Sequence, residues 1–148
     1  MNTIPSIKER YNLLFPDDSI TLDTPTIIEQ RLQVTLPDDF KEIASFFNGG
    51  LIGGISIFSY DQMMPTNIIE ETLRLREGVQ FPHSFLFLAE PAGSMIVLDT
   101  AKSPSVIWCD SIDVYSLHNG SFQIVPDIWN TFSDFFDYLL NQEEEERE

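Results

Sequence analysis

The sequence has little cysteine, few histidines and few basic side chains. Its 148 residues include one cysteine and two histidines, and 8 Lys and Arg stand against 24 Asp and Glu. The single Cys109 cannot form a disulfide within the chain, which favours a reducing compartment. His83 and His118 do not have the spacing of a metal-ligand pair, so we predict no metal site.

Long hydrophobic runs are also missing. No run approaches the roughly 18 apolar residues of a membrane-spanning helix, and the longest, "FLFLA" and "MIVL", have the length of strands. The N-terminal "MNTIPSIKER" has neither the apolar segment nor the cleavage pattern of a signal peptide. These absences predict a cytoplasmic protein that is not inserted in a membrane.

Glycine is scarce except in one stretch, "LPDDFKEIASFFNGGLIGG", which holds four of the seven glycines. The glycines follow a helical pattern and precede the strand-like "ISIFSY". Phosphate-binding loops instead present backbone amides at the start of a helix. Neither the P-loop nor the dinucleotide-binding pattern is present. We therefore interpret the glycines as a helix end and a tight turn, and we predict no cofactor.

Motifs of nucleophilic or metal-dependent catalysis are absent from the sequence. Cys109 lies within the apolar "VIWCD", where burial as a small apolar side chain is expected. Paired carboxylates could perform acid–base chemistry, but most of 24 acids must be solvated. We predict that the protein is not an enzyme, with a small hydrolase as the remaining catalytic alternative. The pairs are Asp17–Asp18, Asp38–Asp39, Glu70–Glu71 and Asp110 with Asp113.

Acidity is the most unusual property of the chain. The net charge is −16, of which the tail Glu143–Glu148 carries −4, so most of the acidity belongs to the rest of the chain. Such a surface repels nucleic acid and anionic lipid. It favours a basic protein partner, although it would also serve solubility alone.

Two kinds of periodicity alternate along the chain and predict an α+β fold. Five segments have helical spacing of apolar residues, namely 6–15, 23–34, 37–48, 66–78 and 126–146, and the last is expected to fray beyond Leu140. Its apolar stripe comprises Ile128, Phe132, Phe135, Phe136, Leu139 and Leu140. Strand patterns occur in "ISIFSY", "FLFLAEP", "MIVLDT", "SVIWCDS" and "IDVYSL", with "FQIV" as a further candidate. We expect one domain with an antiparallel or mixed central sheet of about five to six strands, wrapped by N-terminal, middle and C-terminal helices.

The order of these motifs resembles the SUKH superfamily. The similarity rests on "LPDDFKEIASFFNGG", then "FLFLAEPAGSMIVLDT", "SVIWCDS" and "IWNTFSDFFDYLL", and it extends over roughly residues 20–140. One departure is "EPAGSMIVLD", where Pro91 and Ala92 replace a glycine-rich acidic turn that is frequent in the family. We accordingly divide the chain into a SUKH-like domain, 1–142, and an acidic tail, 143–148.

The resemblance implies a protein that acts by binding another protein. Many bacterial members are immunity proteins that neutralise a polymorphic toxin, often a nuclease, while a eukaryotic branch acts as regulatory, protein-binding modules. The family has no shared catalytic residues. The resemblance therefore makes the motif residues Leu36, Pro37, Asn48, Gly49 and Gly50 determinants of the fold.

The predicted partner is a basic toxin domain encoded by a neighbouring gene, and the alternative function is a non-catalytic regulatory adaptor. Acids beside strands and turns, together with two tyrosines, are the candidate contacts. Complementary charge would speed the encounter of the two proteins. The candidate contact residues are Tyr60, Asp61, Glu90, Asp110, Asp113 and Tyr115.

Overall fold

The fold is α+β, as predicted, in a computed structural model that describes residues 3–18 and 23–148. The α-helices are α1 Ile4–Leu14, α2 Thr24–Leu32, α3 Asp38–Ile43, α4 Ile68–Gly78 and α5 Phe132–Glu146, and a 3₁₀ helix spans Ser111–His118. The strands are β1 Gly50–Ile52, β2 Ile55–Ile57, β3 Phe85–Ala89, β4 Ser94–Asp99, β5 Val106–Asp110 and β6 Asp127–Trp129.

The strands of the described residues form two antiparallel sheets. β1 and β2 make a hairpin, and β3-β4-β5-β6 form a four-stranded sheet in sequence order. The amide of Phe58, just after β2, donates to the carbonyl of Leu88 in β3 at 2.9 Å, which joins the hairpin to the larger sheet. β6 is therefore the open edge of the four-stranded sheet, and it pairs with β5 through only three residues.

Short polar side chains begin four of the five α-helices, and the first is Thr3, which accepts from the amide of Ser6 at 3.3 Å before α1. Asp23, Asn67 and Thr131 precede α2, α4 and α5, and each accepts a hydrogen bond from the amide three residues later, at 3.3, 2.9 and 3.1 Å. Such caps satisfy amides that have no partner within the helix. Asp23 and Asn67 lie at the starts of the helical segments 23–34 and 66–78 that the sequence predicts.

Both faces of the four-stranded sheet are covered. All five residues of β3 are buried, which explains why "FLFLA" has no alternation. One face packs on the helices through a core that includes Phe40, Phe47 and Phe136. The other face carries a smaller cluster of buried residues beneath the 3₁₀ helix, comprising Phe81, Phe85, Phe87, Met95, Val97, Ile107, Cys109 and Leu117.

The segment between β5 and α5 differs from the sequence-based prediction. "IDVYSL" is a 3₁₀ helix and not a strand, and "FQIV" forms no regular strand. The final helix begins at Phe132, because residues 127–129 pair with β5 as β6 and Thr131 supplies the cap. Ile128 therefore lies outside the helix, with 53% of its surface exposed.

The acidic tail does not fray after Leu140, because α5 continues to Glu146. The guanidinium of Arg10 in α1 bonds Asp137 at 2.5 Å and Glu144 at 2.7 Å. Glu143 accepts from the amide of Gly53 at 2.9 Å. These contacts hold the last turns of the helix against α1 and the β1–β2 hairpin.

Candidate partner-binding surface

The 3₁₀ helix begins directly where β5 ends, and Asp110 makes the junction. Its carboxylate accepts a hydrogen bond from the amide of Ile112 at 3.0 Å and so caps the helix. In a 3₁₀ helix, side chains three residues apart lie above one another. The backbone departs from helical angles at Asp113, between Ile112 and Tyr115, so this spacing does not by itself place the two side chains on one side. Both are exposed, over 60% and 59% of their surfaces.

Asp113 points inward, which corrects its prediction as a contact residue. Only 1% of its surface is exposed, and its two carboxylate oxygens accept from the amides of Gln123 and Ile124, each at 3.0 Å. A buried carboxylate needs such partners. Asp113 therefore fastens residues 123–124 to the 3₁₀ helix, and it does not form a free acid–base pair with Asp110.

Apolar side chains are exposed along the segment that Asp113 fastens. Ile124 and Val125 are 51% and 91% exposed, and Ile128 of β6 follows them. Ile128 pairs with Ile107, so it lies on the sheet face that the 3₁₀ helix covers. Asp127 pairs with Trp108, which packs on the helix-covered face, so its side chain lies on the opposite side of β6 from Ile128. We call the residues on both sides of this edge the edge surface, defined by Asp110, Ile112, Tyr115, Ile124, Val125, Asp127 and Ile128.

The edge surface has carboxylates but no nearby base in the sequence. No lysine or arginine occurs between Lys102 and Arg147. Among the described residues, no carboxylate of 103–130 forms an ion pair, and five of the eight basic side chains are paired with acids elsewhere. Asp110 and Asp127 are thus acids without a neutralising partner in the described structure.

The other candidate contacts lie apart from one another. Glu90 is exposed in the β3–β4 turn, which is joined to the 3₁₀ helix by a 3.1 Å bond from the Ser111 amide to the Gly93 carbonyl. Tyr60 is only 1% exposed and stacks on Phe40, with ring centroids 5.0 Å apart, so it is a core residue and not a surface anchor. Asp61 is half-buried beside it in the loop after β2.

Of the predicted contacts, Asp110 and Tyr115 therefore belong to the edge surface, as the cap and a residue of the 3₁₀ helix. Glu90 lies in the turn that is bonded to this helix, and Tyr60 and Asp61 lie elsewhere. Sequence reasoning missed the exposed Ile112, Ile124, Val125 and Ile128, because their alternation and spacing match buried strands and a helix face. The absence of bases between Lys102 and Arg147 is the signal that could have drawn attention to this region.

Cys109, the one thiol of the chain, lies beneath the 3₁₀ helix. Burial, and then the negative charges of Asp113 and Asp110, raise the pKa of this thiol to about 11. The thiol is therefore protonated at neutral pH, whereas a nucleophilic cysteine needs its thiolate. Cys109 acts as a small apolar side chain of the core, as the sequence predicts.

The described residues, 3–18 and 23–148, hold neither a metal-ligand cluster nor a helix that could span a membrane. No group of three or more His, Cys, Asp or Glu side chains in these ranges is placed to hold a metal ion. Nor does any helix there have both the length and the hydrophobicity needed to cross a bilayer. The arrangement of the edge surface is suited to contact with another macromolecule.

Comparison with known proteins gives two matches. A family model described as the SMI1 / KNR4 family (SUKH-1) matches residues 19–138. The chain is also similar to the uncharacterized protein YnaB of Bacillus subtilis (strain 168), at 31% identity over 118 residues. That alignment covers 77% of this chain and 72% of YnaB.

Proposed function

The chain belongs to the SMI1/KNR4 family (SUKH-1), and from this premise we propose that it is a cytoplasmic immunity protein. It binds a basic bacterial toxin domain, such as a nuclease, and blocks it. The family includes immunity proteins and is generally non-catalytic. The observation that carries the proposal for this chain is the edge surface, where the open edge of the sheet has exposed apolar side chains and acids that form no ion pair among the described residues.

The composition of the edge surface supports protein binding. Isolated exposed apolar residues are common, but a group of them rimmed by polar residues is typical of interaction sites. Val125 at 91% exposure and Tyr115 at 59% supply apolar contact area. Tyrosine is also enriched among the residues that dominate binding energies. A partner would bury these side chains and leave Asp110 and Asp127 at the rim.

The negative charge of the protein indicates which class of partner it would bind. A nuclease needs a cationic cleft to hold phosphates, and opposite potentials speed the encounter of two proteins by orders of magnitude. The net charge of −16 provides the long-range attraction. Occupation of the cleft needs no bond making or breaking by the inhibitor, so a binding surface alone is sufficient for immunity.

Co-expression with the neighbouring gene tests the proposal. The C-terminal domain of that gene's product is expressed with and without this chain, and growth and co-purification are scored. We expect the toxin domain alone to arrest growth and the pair to grow and co-purify. Co-purification with a domain that is not toxic would favour the regulatory adaptor, and a lack of both rescue and binding would contradict immunity against that gene product.

Charge reversal tests the edge surface itself. Asp110→Lys with Asp127→Lys should slow association with the toxin domain by about tenfold or more at low salt. The matched control is Glu42→Lys with Glu77→Lys, which changes the net charge equally at exposed positions of the α3 and α4 regions. Equal slowing in both variants would show that overall charge, and not the edge surface, drives the encounter.

A further inference from the structure

The outer side of β6 is the open edge of the four-stranded sheet. β6 is the last strand of that sheet and pairs with β5. Within the described residues, 3–18 and 23–148, no backbone hydrogen bond joins β6 to a segment outside the sheet. Asp127 and Ile128 are both exposed there. An edge strand of this kind can pair with a strand of another chain.

The hydrogen bonds between β4 and β5 show which residues of β5 face β6. The Ser111 amide donates to the Gly93 carbonyl at 3.1 Å, and the Asp99 amide donates to the Ser105 carbonyl at 2.7 Å. Hydrogen-bonded and non-hydrogen-bonded pairs alternate along an antiparallel ladder. Because β4 and β5 pair in one continuous register, the odd-numbered residues of β5 bond β4 and its even-numbered residues bond β6.

Ile128 is the residue of β6 whose backbone amide and carbonyl face the open edge. Its two neighbours in the strand are opposite Val106 and Trp108, the even-numbered residues that bond β6. Just after β6, the carbonyl of Asn130 already accepts from the Ser105 amide at 3.2 Å. The open edge therefore offers one donor and one acceptor, both from Ile128, which can bond one residue of an added strand.

The side chains of β6 determine which sequence fits beside it. A residue bonded to Ile128 would place its side chain on the same face as Ile128, and its neighbours would lie opposite Asp127 and Trp129 on the other face. Ile128 is 53% exposed and favours an apolar side chain opposite it. Asp127 favours lysine or arginine, because opposite charges on paired strands stabilise the pairing. Trp129 is partly buried and adds apolar contact area.

Charge also determines the source of the added strand. Residues 103–146 contain no lysine or arginine, so a second copy of this chain at the edge would bring acids close to acids. Like charges opposite each other destabilise a strand pair. The net charge of −16 on each copy adds to this repulsion. The edge is therefore suited to a basic segment of a different protein.

We propose that β6 binds an extended segment of the toxin domain as an added strand, in which an apolar residue bonds the backbone of Ile128 and a neighbouring lysine or arginine lies opposite Asp127. The inference rests on the proposed function for its partner and adds how that partner is recognised. In strand addition, main-chain bonds give affinity and alternate side chains give specificity. Because only Ile128 offers main-chain bonds here, the side chains supply much of the affinity.

Two capped peptides test this recognition without the toxin domain. The first is Lys-Val-Lys-Val-Lys, and the second is the same peptide with N-methyl groups on both valines, which keeps the charge and the side chains but removes the main-chain donors. In ¹H–¹⁵N NMR spectra the first should cause saturable shifts at Asp127, Ile128 and Trp129 and slow the exchange of the Ile128 amide with water. The second should bind about threefold to tenfold more weakly, because one hydrogen bond is lost.

Three results with the peptides would overturn the proposal. These are a lack of saturable shifts with the first peptide, equal affinity of the two peptides, and shifts spread evenly over the acidic surface.

Ile128→Pro tests the same bond from the side of this protein. Proline is tolerated on an edge strand where its missing amide would face solvent. Ile128→Ala is the matched control, since it removes more of the apolar side chain but keeps the amide. Ile128→Pro should bind the first peptide about threefold to tenfold more weakly than Ile128→Ala. Equal or tighter binding by a folded Ile128→Pro variant would contradict strand addition, and the N-methylated peptide gives the same test if the variant does not fold.

Co-expression with the toxin domain separates this inference from the proposed function. Equal affinity of the parent and Ile128→Pro for the toxin domain, with growth rescued by both, would support immunity and overturn strand addition. Binding of the first peptide as expected, without rescue of growth, would support strand recognition and contradict immunity against that gene product. A concentration-dependent dimer in sedimentation that Ile128→Pro abolishes would assign the edge to a second copy and overturn the proposal.

Discussion

At the scale of single residues, the acids of this protein divide into those that maintain the fold and those that face solvent. Asp113 belongs to the first group, because both of its oxygens hold backbone amides and it is almost fully buried. Asp127 belongs to the second group, since it is exposed on the edge strand. The number of acids, 24, therefore does not reveal how many of them are free to contact a partner.

Asp113→Ala should lower the free energy of unfolding by about 2–4 kcal/mol, because the amides of Gln123 and Ile124 would lose their acceptor in a buried place. The comparison variant is Asp110→Ala, which loses one capping bond and should cost about 1 kcal/mol. Urea unfolding followed by tryptophan fluorescence measures both. Similar losses in the two variants would contradict the anchoring role of Asp113.

The two residues that sequence reasoning misplaced as contacts, Tyr60 and Asp113, show what a sequence cannot reveal. Tyr60 stands among polar neighbours in the chain and Asp113 is an acid beside a predicted strand, so both were predicted to lie at the surface. Their burial depends on distant partners, namely Phe40 for Tyr60 and residues 123–124 for Asp113. Local sequence contains no information on which distant segment will cover a side chain.

At the scale of elements, most helices could be predicted because their caps and apolar spacing are local. Asn67 before α4 and Gly78 at its end lie where the sequence places them. The 3₁₀ helix could not be predicted, because "IDVYSL" alternates like a strand and its Asp113 is held by backbone amides ten and eleven residues later. The strand β6 exists only through pairing with β5, which is again a distant contact.

The last turns of α5 should make the stability of the protein depend on pH. The Gly53 amide, and next the Arg147 guanidinium, hold the pKa of Glu143 below its usual value of 4.5, and Arg10 does the same for Glu144. The unfolded chain then binds these protons more tightly than the folded protein. The stabilisation is present above about pH 5 and disappears as the pH falls through the folded-state pKa values.

Urea unfolding between about pH 3 and pH 6 measures this effect. Glu143→Gln with Glu144→Gln should be less stable than the parent at pH 6 and should lose less stability on acidification. Glu145→Gln with Glu146→Gln changes the same charge at exposed positions one turn or less away. In this control the free energy of unfolding should change with pH as steeply as in the parent. A weaker pH dependence in the control would mean that repulsion among all the acids of the tail, and not the bonds of Glu143 and Glu144, causes the effect.

Gly53 is where the β1–β2 hairpin meets α5 most closely. Its backbone is left-handed, with φ +59°, and a Cβ placed there would lie 2.7 Å from the carbonyl oxygen of Leu139. Gly53→Ala should therefore destabilise the protein by clearly more than the roughly 1–2 kcal/mol that a left-handed alanine costs by itself. Thermal unfolding monitored by circular dichroism measures the loss.

Gly120→Ala is the matched control for this prediction. Gly120 has a similar φ of +74°, but a Cβ there would meet no atom within 4 Å. The Gly120→Ala variant should lose only the stability that a left-handed alanine backbone costs. Equal destabilisation of the two variants would mean that α5 can move away from the β1–β2 hairpin without a loss of stability.

At the scale of the whole molecule, the excess of 24 acids over 8 bases should make the folded state repel itself. We expect the melting temperature to rise as NaCl increases from about 0.01 to 0.3 M, because the Debye length shrinks from about 30 Å to below 10 Å. The Glu42→Lys, Glu77→Lys variant should show a smaller rise. A fall in melting temperature with salt would mean that the ion pairs, and not the repulsion, dominate.

The net charge follows from the composition, but the composition does not show how the charges are distributed over the surface of the folded protein. Five basic side chains form ion pairs, and all five lie outside the edge surface: Arg10, Arg31, Lys41, Arg74 and Arg147. Four of these pairs involve residues of different elements. The α+β class and the family could be anticipated from motif order, whereas the exposed apolar edge could be recognised only once the chain was folded.

The contact between Arg10 and Glu144 joins residues 134 positions apart. During synthesis on the ribosome, α1 is made before α5, so the surface that it covers is not yet available when α1 leaves the ribosome. Until then Ile7 and Tyr11 have no α5 to pack against. Packing of α1 is therefore an event that follows the translation of α5, and the nascent protein keeps part of its apolar surface uncovered until α5 has been made.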